Sequence, residues 1–406
     1  MTNKHAPKRG IKPGIAAAIL LAALAAGLAL ALILLFPRKP VIAFYRLPEP
    51  VVSAIMQEAS LPENSGKQGF SFITLDGELP LPEQKKALAR ADLLFTEDGR
   101  AAAELAPRAI PAGDDLLRLM PTAMRFSGRT GETAWGLPLL LDHFELAWNM
   151  SMLSASGYTK PETISKLRTE AAGIRKPGVW PIVCAGADDG NLLMLTGALT
   201  EALSGADACL AVADSASRGT SFRDLLATTK LGETLDTLIS WRKEGLLHPE
   251  WFRMTESDVA AFMDDGFACF VLMPLSAHRR VPQKVIERFD STMFPSDRPA
   301  NSRSFVAPAV VALRMDRKGA DSRAAAFYRK LVEPGTQMSL ANRTGLAPVS
   351  STAETRDRQA YDVRLWVASS ARPLPDLGTA AFAAPADRAA LALNIRNYIE
   401  SGGQTW

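Results

Sequence analysis

The feature that most constrains this chain is residues 14–36, GIAAAILLAALAAGLALALILLF, a run of 23 residues with no charge and no strong polar group. As a helix it would be roughly 34 Å long, enough to cross a ~30 Å hydrocarbon core. Lys4, Lys8, Arg9 and Lys12 precede it and no acid does, which favours a cytoplasmic amino terminus. The expectation is a basic cytoplasmic tail (1–13) and an uncleaved transmembrane anchor (14–36). That makes a single-pass protein of the inner (cytoplasmic) membrane, with its body periplasmic or extracellular. A cleaved signal peptide is the rival reading. Ala29-Leu30-Ala31 has the small-x-small form, but cleavage there would leave LILLF at the mature end. A lipoprotein needs a cysteine just after the apolar run, and the first cysteine is Cys184.

Charge separates the two parts. The net charge of the 406 residues is +3; residues 1–40 hold six basic residues and no acid, so the remainder carries a net −3. A nucleic-acid binder would keep its positive charge on the folded domain. Three cysteines, none in a CxxC pair, exclude a disulfide-dense scaffold. The four histidines show no HExxH spacing, and GxGxxG, GxxxxGK[ST] and GxSxG motifs are absent. Dinucleotide, nucleotide-hydrolysing and serine-hydrolase sites therefore have no support. Asp188-Asp189-Gly190-Asn191 reads as a cation turn or, more simply, as a helix N-cap. Cys269, in an apolar strand, reads as inert core. No metal and no cofactor is expected.

The body alternates. VIAFY (41–45), FSFITL (70–75) and DLLFTE (92–97) read as strands, and 51–59, 82–91 and 101–106 as helices. That is the α/β pattern, in which ligands bind beyond the carboxyl ends of strands. Attention falls on Tyr45-Arg46, Asp76-Gly77-Glu78 and Thr96-Glu97-Asp98-Gly99. Further on, helices are expected at 191–204, 222–245 (two), 259–266, 322–332 and 385–399, with strands at 267–273 and 305–313.

Four segments, in order, resemble the extracellular solute-binding proteins of ABC importers, in the sugar-binding group related to maltose-binding protein. They are Trp135-Gly136-Leu137-Pro138 with Asn149 eleven residues after the proline; Gly157-Tyr158-Thr159-Lys160-Pro161-Glu162-Thr163; Phe262 to Phe270 around Gly266; and the helix Ala325–Val332 followed by Gln337, Ala341, Gly345 and Pro348-Val349. The resemblance covers roughly residues 41–400. It implies an α/β, two-lobed periplasmic-binding-protein fold (type II-like) with hinge crossover strands near 138–149 and 303–310. Lobe I would be 41–141 and 306–345, and lobe II 142–305 and 346–406. It also implies capture of a carbohydrate ligand, ABC permease subunits as partners, and no covalent chemistry. The chain departs from the pattern at Leu139–Leu141, at Ile164 and at Ala91-Asp92-Leu93.

Candidate ligand contacts are Tyr45, Arg46, Glu97, Asp142, His143, Trp180 and Arg343. Aromatic planes stack on the apolar C–H faces of pyranoses. Of the seven tryptophans, Trp180 is the one in a loop, whereas Trp148 reads as core. Asp142 and His143 are adjacent on an extended segment, so they face opposite ways; Asp142 is expected toward the cleft. For each, core packing or a surface position is the competing reading. Two other functions stay open: an envelope sensor or interaction module of the same build that has lost transport, which the apolar Leu139–Leu141 stretch favours, and an exported enzyme resting on Asp142 and His143.

Overall fold

The computed structural model describes residues 38–404 except 67–68, 299–305, 316–321, 351, 356–357 and 371–372, together with the single residue 22. The expected anchor, residues 14–36, lies outside the described residues apart from that one. Among the described residues no helix is long and apolar enough to cross a membrane.

In chain order the main elements are β1 (Val41–Tyr45), α1 (Glu49–Ser60), β2 (Ser71–Thr74), β3 (Leu93–Thr96), α2 (Arg100–Leu105), β4 (Gly136–Asn149), α3 (Ile164–Ile174), β5 (Trp180–Cys184), α4 (Asp189–Ser204), α5 (Ala206–Ser217) and α6 (Leu231–Lys243). There follow α7 (Glu256–Asp264), β6 (Ala268–Pro274), β7 (Phe289–Met293), β8 (Val306–Met315), α8 (Ser322–Lys330), α9 (Pro334–Thr344), α10 (Arg358–Ser369), α11 (Leu377–Ala381) and α12 (Pro385–Glu400). The strands run in the order β2-β1-β3-β8-β4-β6-β5.

One strand belongs to both halves of that order. Residues 136–143 of β4 pair antiparallel with β8, from Gly136↔Leu313 to Val306↔His143. Residues 144–149 pair instead with β6, from Phe144↔Pro274, and with β7. The lobes therefore meet at His143 and Phe144, inside the expected crossover. Its sequence, GLPLLLDHFELAWN, is mostly apolar because it is buried on both faces. Pro138 and Pro308 cannot donate to the ladder, and the β4–β8 register shifts between Pro308 and Val311. From Val306 onward the second expected crossover already pairs with the first-lobe sheet; residues 303–305 lie outside the described residues.

The first lobe is a sheet with a core on each face. Alternation along β1 sends Ile42 and Phe44 to one core and Ala43 and Tyr45 to the other. The second lobe has one core, built from Leu146, Val183, Leu235, Phe270 and their neighbours. Leu346, Ala347, Val349 and Val363 pack into the first-lobe core, and Leu377, Leu391 and Ile395 into the second. The chain thus stays with the first lobe past residue 345 before it crosses again.

Expectation and structure differ at 82–91. A single helix was expected. The chain instead makes a 3-10 turn, Leu81–Gln84, and one helical turn, Lys85–Leu88. The cause is Gln84, whose amide accepts from Asp76 N at 2.9 Å and donates to Asp76 O at 2.8 Å and Leu79 O at 3.0 Å. That pulls the first turn onto the loop after β2.

Candidate ligand-binding cleft

Three of the candidate residues come together at the carboxyl ends of β1 and β3. Tyr45 is 1% exposed, so its ring is core, and its hydroxyl donates to the Leu79 carbonyl at 3.3 Å. Burial raises its pKa, with Arg46 pulling the other way. The Arg46 guanidinium lies 4.6 Å from the Tyr45 ring centroid, and its Nε donates to Gly77 O at 2.8 Å. Among the described residues Arg46 is the only non-glycine with positive φ, +55°. A left-handed arginine persists only where its surroundings hold it. Here those are the Tyr45 ring below and the Gly77 carbonyl beside it.

Glu97 follows β3 and meets Arg388 of α12, a second-lobe element. Arg388 Nη1 donates to Glu97 Oε2 at 2.8 Å, and Nη2 donates to Oε1. Both side chains are largely buried, 14% exposed for Glu97 and 16% for Arg388. Burial pushes the Glu97 carboxyl above its ordinary range in spite of the guanidinium. Arg388 suffers the same desolvation, but the Glu97 carboxylate more than offsets it and its pKa is raised. A guanidinium does not give up its proton in a protein, so Arg388 keeps its charge against the desolvation. One residue on, Gly99 has φ +97°, and a Cβ there would sit 2.4 Å from the Thr379 carbonyl oxygen of α11. Only glycine allows that backbone approach between the lobes. The cleft is thus closed by the chain itself.

The remaining candidates do not reach this place. Asp142 and His143 do face opposite ways. The Asp142 carboxylate accepts from Ser276 N at 3.0 Å and Ser276 Oγ at 2.5 Å, fastening the crossover to the helical turn Leu275–His278. Burial pushes its carboxyl up to about 6. His143 is fully buried, edge-on to Trp366 at 5.5 Å. Trp180 sits at the amino end of β5, opposite Ala268, whereas the crossover end of that strand is Cys184, opposite Leu272. Four residues of strand put it about 13 Å farther from the hinge. It packs edge-on against His248 at 4.8 Å, which in turn meets Phe262 at 5.2 Å. Arg343 lies on the packing of α9 against α1, where its guanidinium meets buried Glu58 at 3.5 Å.

Other expectations resolve simply. Asp188 caps α4, accepting from Asn191 N at 2.8 Å, and Asp189 pairs with Arg396 at 2.6 Å. Cys269 is buried, and burial pushes its thiol up to about 12. Trp148 is 8% exposed within the second-lobe core.

An interlobe cavity of about 210 Å³ lies beside the Gly99–Thr379 contact. The first lobe contributes Asp98, Ser127 and Gly128, α5 contributes Asp214, and Pro373 and Pro375 close it. Burial pushes the Asp98 carboxyl up to about 6, against donation from the Gly99 and Gly128 amides. Ser127 is 3% exposed, and its hydroxyl has no hydrogen-bond partner. A buried unsatisfied hydroxyl on a cavity wall is what a ligand hydroxyl would complete. Among the described residues no aromatic side chain lines this cavity. Sequence reasoning singled out Thr96-Glu97-Asp98-Gly99 but named only Glu97. It missed Ser127, Asp214, Arg388 and the 373–375 segment.

No protein-family model matches the sequence, and no curated protein matches it. Solved structures do match the fold. The bacterial solute receptor AcbH, reported to prefer β-D-galactopyranose exclusively, superposes with a TM-score of 0.73 over 90% of this chain and 93% of its own, at 12% identity. The chain has the two-lobed solute-binding fold. A chitin oligosaccharide binding protein matches this fold at TM-score 0.67, 14% identity, over 90% of this chain and 95% of its own. Maltose-bound MalE3 of T. maritima matches at TM-score 0.59, 14% identity, over 90% and 97%.

Proposed function

We propose that this protein is a membrane-tethered solute-binding protein of an ABC importer, holding a sugar or sugar-like solute between its lobes. The observation that carries the reading is the β4 strand shared by two α/β lobes, in a fold whose solved examples include sugar receptors. Its action would be capture in an open state and hinge closure around the ligand. The contacts would be Ser127, Asp98 and Asp214 in the cavity, with Arg46 and Glu97 beyond the strand ends as further candidates once the lobes part. The apolar run 14–36 would hold the body on the outer side of the inner membrane, beside its permease.

A second reading has its own support. The cleft is bridged by Glu97–Arg388 and walled by Pro373 and Pro375, and its 210 Å³ is below the ~300–1,000 Å³ of ordinary ligand pockets. That suits an envelope sensor or interaction module of the same build. A thermal-shift screen of the full chain in detergent against a sugar library separates the two. A ligand at 100 times its Kd should stabilise the fold by ~2.7 kcal/mol. Ser127→Ala should then weaken that ligand by ~1 kcal/mol. Silence across the library, in a protein that stays in the membrane fraction after carbonate washing, would leave the module reading.

A further inference from the structure

The first-lobe sheet has another end, opposite the cleft, where β1, β2 and β3 begin and β8 finishes. Met315 N donates to the Asp92 carbonyl there at 3.0 Å. Cations gather around it. Arg38 Nη2 donates to the Arg90 carbonyl at 2.6 Å, and Arg323 Nη2 to the Arg38 carbonyl at 3.3 Å. Beside them runs a groove of about 310 Å³ with Lys85 and Arg108 on its walls and Leu88, Ala91 and Met315 among its apolar lining. Arg38, Lys39, Lys85, Lys86, Arg90 and Arg108 are all exposed. The segments 85–91 and 106–113 contain no acid. Asp92 is 2% exposed, and its carboxylate is taken by Val41 N at 2.8 Å. Glu63, on the helical turn beside α8, is an exposed acid bordering the face. Exposed Glu83, Glu104, Asp114 and Asp115 flank those two segments in sequence, so among the described residues the cations gather within the face and the exposed acids stand outside those segments.

Chain reach fixes where this face can be. The apolar run ends at Phe36 and β1 begins at Val41. Five residues span at most about 18 Å. We propose that this basic end of the first lobe lies on the anionic headgroups of the membrane that holds the tether, and so keeps the opposite end, with the cleft, turned away from the bilayer. The inference rests on the tether reading. The attraction grows with each lysine or arginine near an anionic surface and decays within a Debye length, about 10 Å at 0.1 M salt.

The test uses the full chain in lipid nanodiscs. The three native cysteines are buried, so Ala89→Cys places one accessible thiol on the groove, and Ser154→Cys places a control on the second lobe beyond the carboxyl end of β4. Modification by a membrane-impermeant maleimide should be about fivefold slower at position 89 in phosphatidylglycerol discs than in phosphatidylcholine discs at low salt. It should recover at high salt and be unchanged at position 154. Adding Lys85→Glu, Lys86→Glu and Arg108→Glu should erase the difference. Equal rates in the two lipids, or equal slowing in both, overturn the proposal while incorporation into discs upholds the tether. Failure to enter discs of either lipid removes the tether, and the proposal with it.

Discussion

The two ends of the first-lobe sheet treat charge differently. At the cleft end Glu97 is matched to Arg388, and Arg46 is packed on Tyr45 beside the Gly77 carbonyl. At the opposite end six exposed cations surround buried Asp92, whose Oδ2 accepts from Val41 N, with exposed Glu63 at the border. Desolvation explains the first arrangement. A charge taken out of water needs a partner, because leaving one uncompensated costs several kcal/mol. The second is cheap for the fold itself, since exposed cations stay hydrated. Charge at the cleft end is thus dictated by folding, and charge at the opposite end is not.

Removing one partner at the cleft end is the strongest way to break that contrast. Arg388→Met leaves the Glu97 carboxylate largely buried and alone, and should cost ~3 kcal/mol in urea denaturation. It should also enlarge the radius of gyration as the lobes part. Unchanged stability and size would mean that the Glu97–Arg388 pair does not hold them. Asp98 comes next. Its carboxyl, raised from 3.8 to about 6, keeps a proton in the folded state that the unfolded chain has already lost. This term is fully present below pH ~4 and fades as pH rises through 6, an effect on the order of 2 kcal/mol. Melting temperature followed from pH 4 to 7.5 should therefore drop more steeply in the wild type than in Asp98→Asn. Parallel curves would show that the proton is not held there. Ser276→Ala should cost ~1 kcal/mol by releasing the Asp142 contact at the crossover, read as a lower melting temperature. Smallest of all, Lys85→Glu with Lys86→Glu and Arg108→Glu should leave the stability of the detergent-solubilised protein within ~0.5 kcal/mol. A larger loss would mean these cations serve the fold after all.

Local pattern made much of this legible. The apolar, β-branched run Val41–Tyr45 reads directly as a buried strand, whereas the shared strand was legible only through the family resemblance, from the spacing of Gly136, Pro138 and Asn149. The rule that ligands sit beyond strand carboxyl ends led to Tyr45, Arg46 and Glu97. Trp180 misled because its place depends on which way β5 runs relative to the crossover, and that is set by pairing with β6, 88 residues later at Ala268. Arg343 misled because its partner, Glu58, is chosen by helix packing. Arg388 and the 373–375 segment come from far down the chain, and no local spacing ties them to residue 97.

In the proposed function the shared strand would serve as a lever. Asp142 grips Ser276 on one side of the pivot, and buried Glu145 meets His278 on the other. From Phe144 to Asn149 the arm is about 17 Å long at ~3.3 Å per residue. A turn of about 15° at the pivot, of the size seen in rigid-body switching, sweeps its tip through roughly 4 Å. Hydrogen bonds pin the strand on both sides of the pivot, and the Glu97–Arg388 pair spans the rim. Whatever prises Arg388 from Glu97 gains a long mechanical advantage over the whole second lobe.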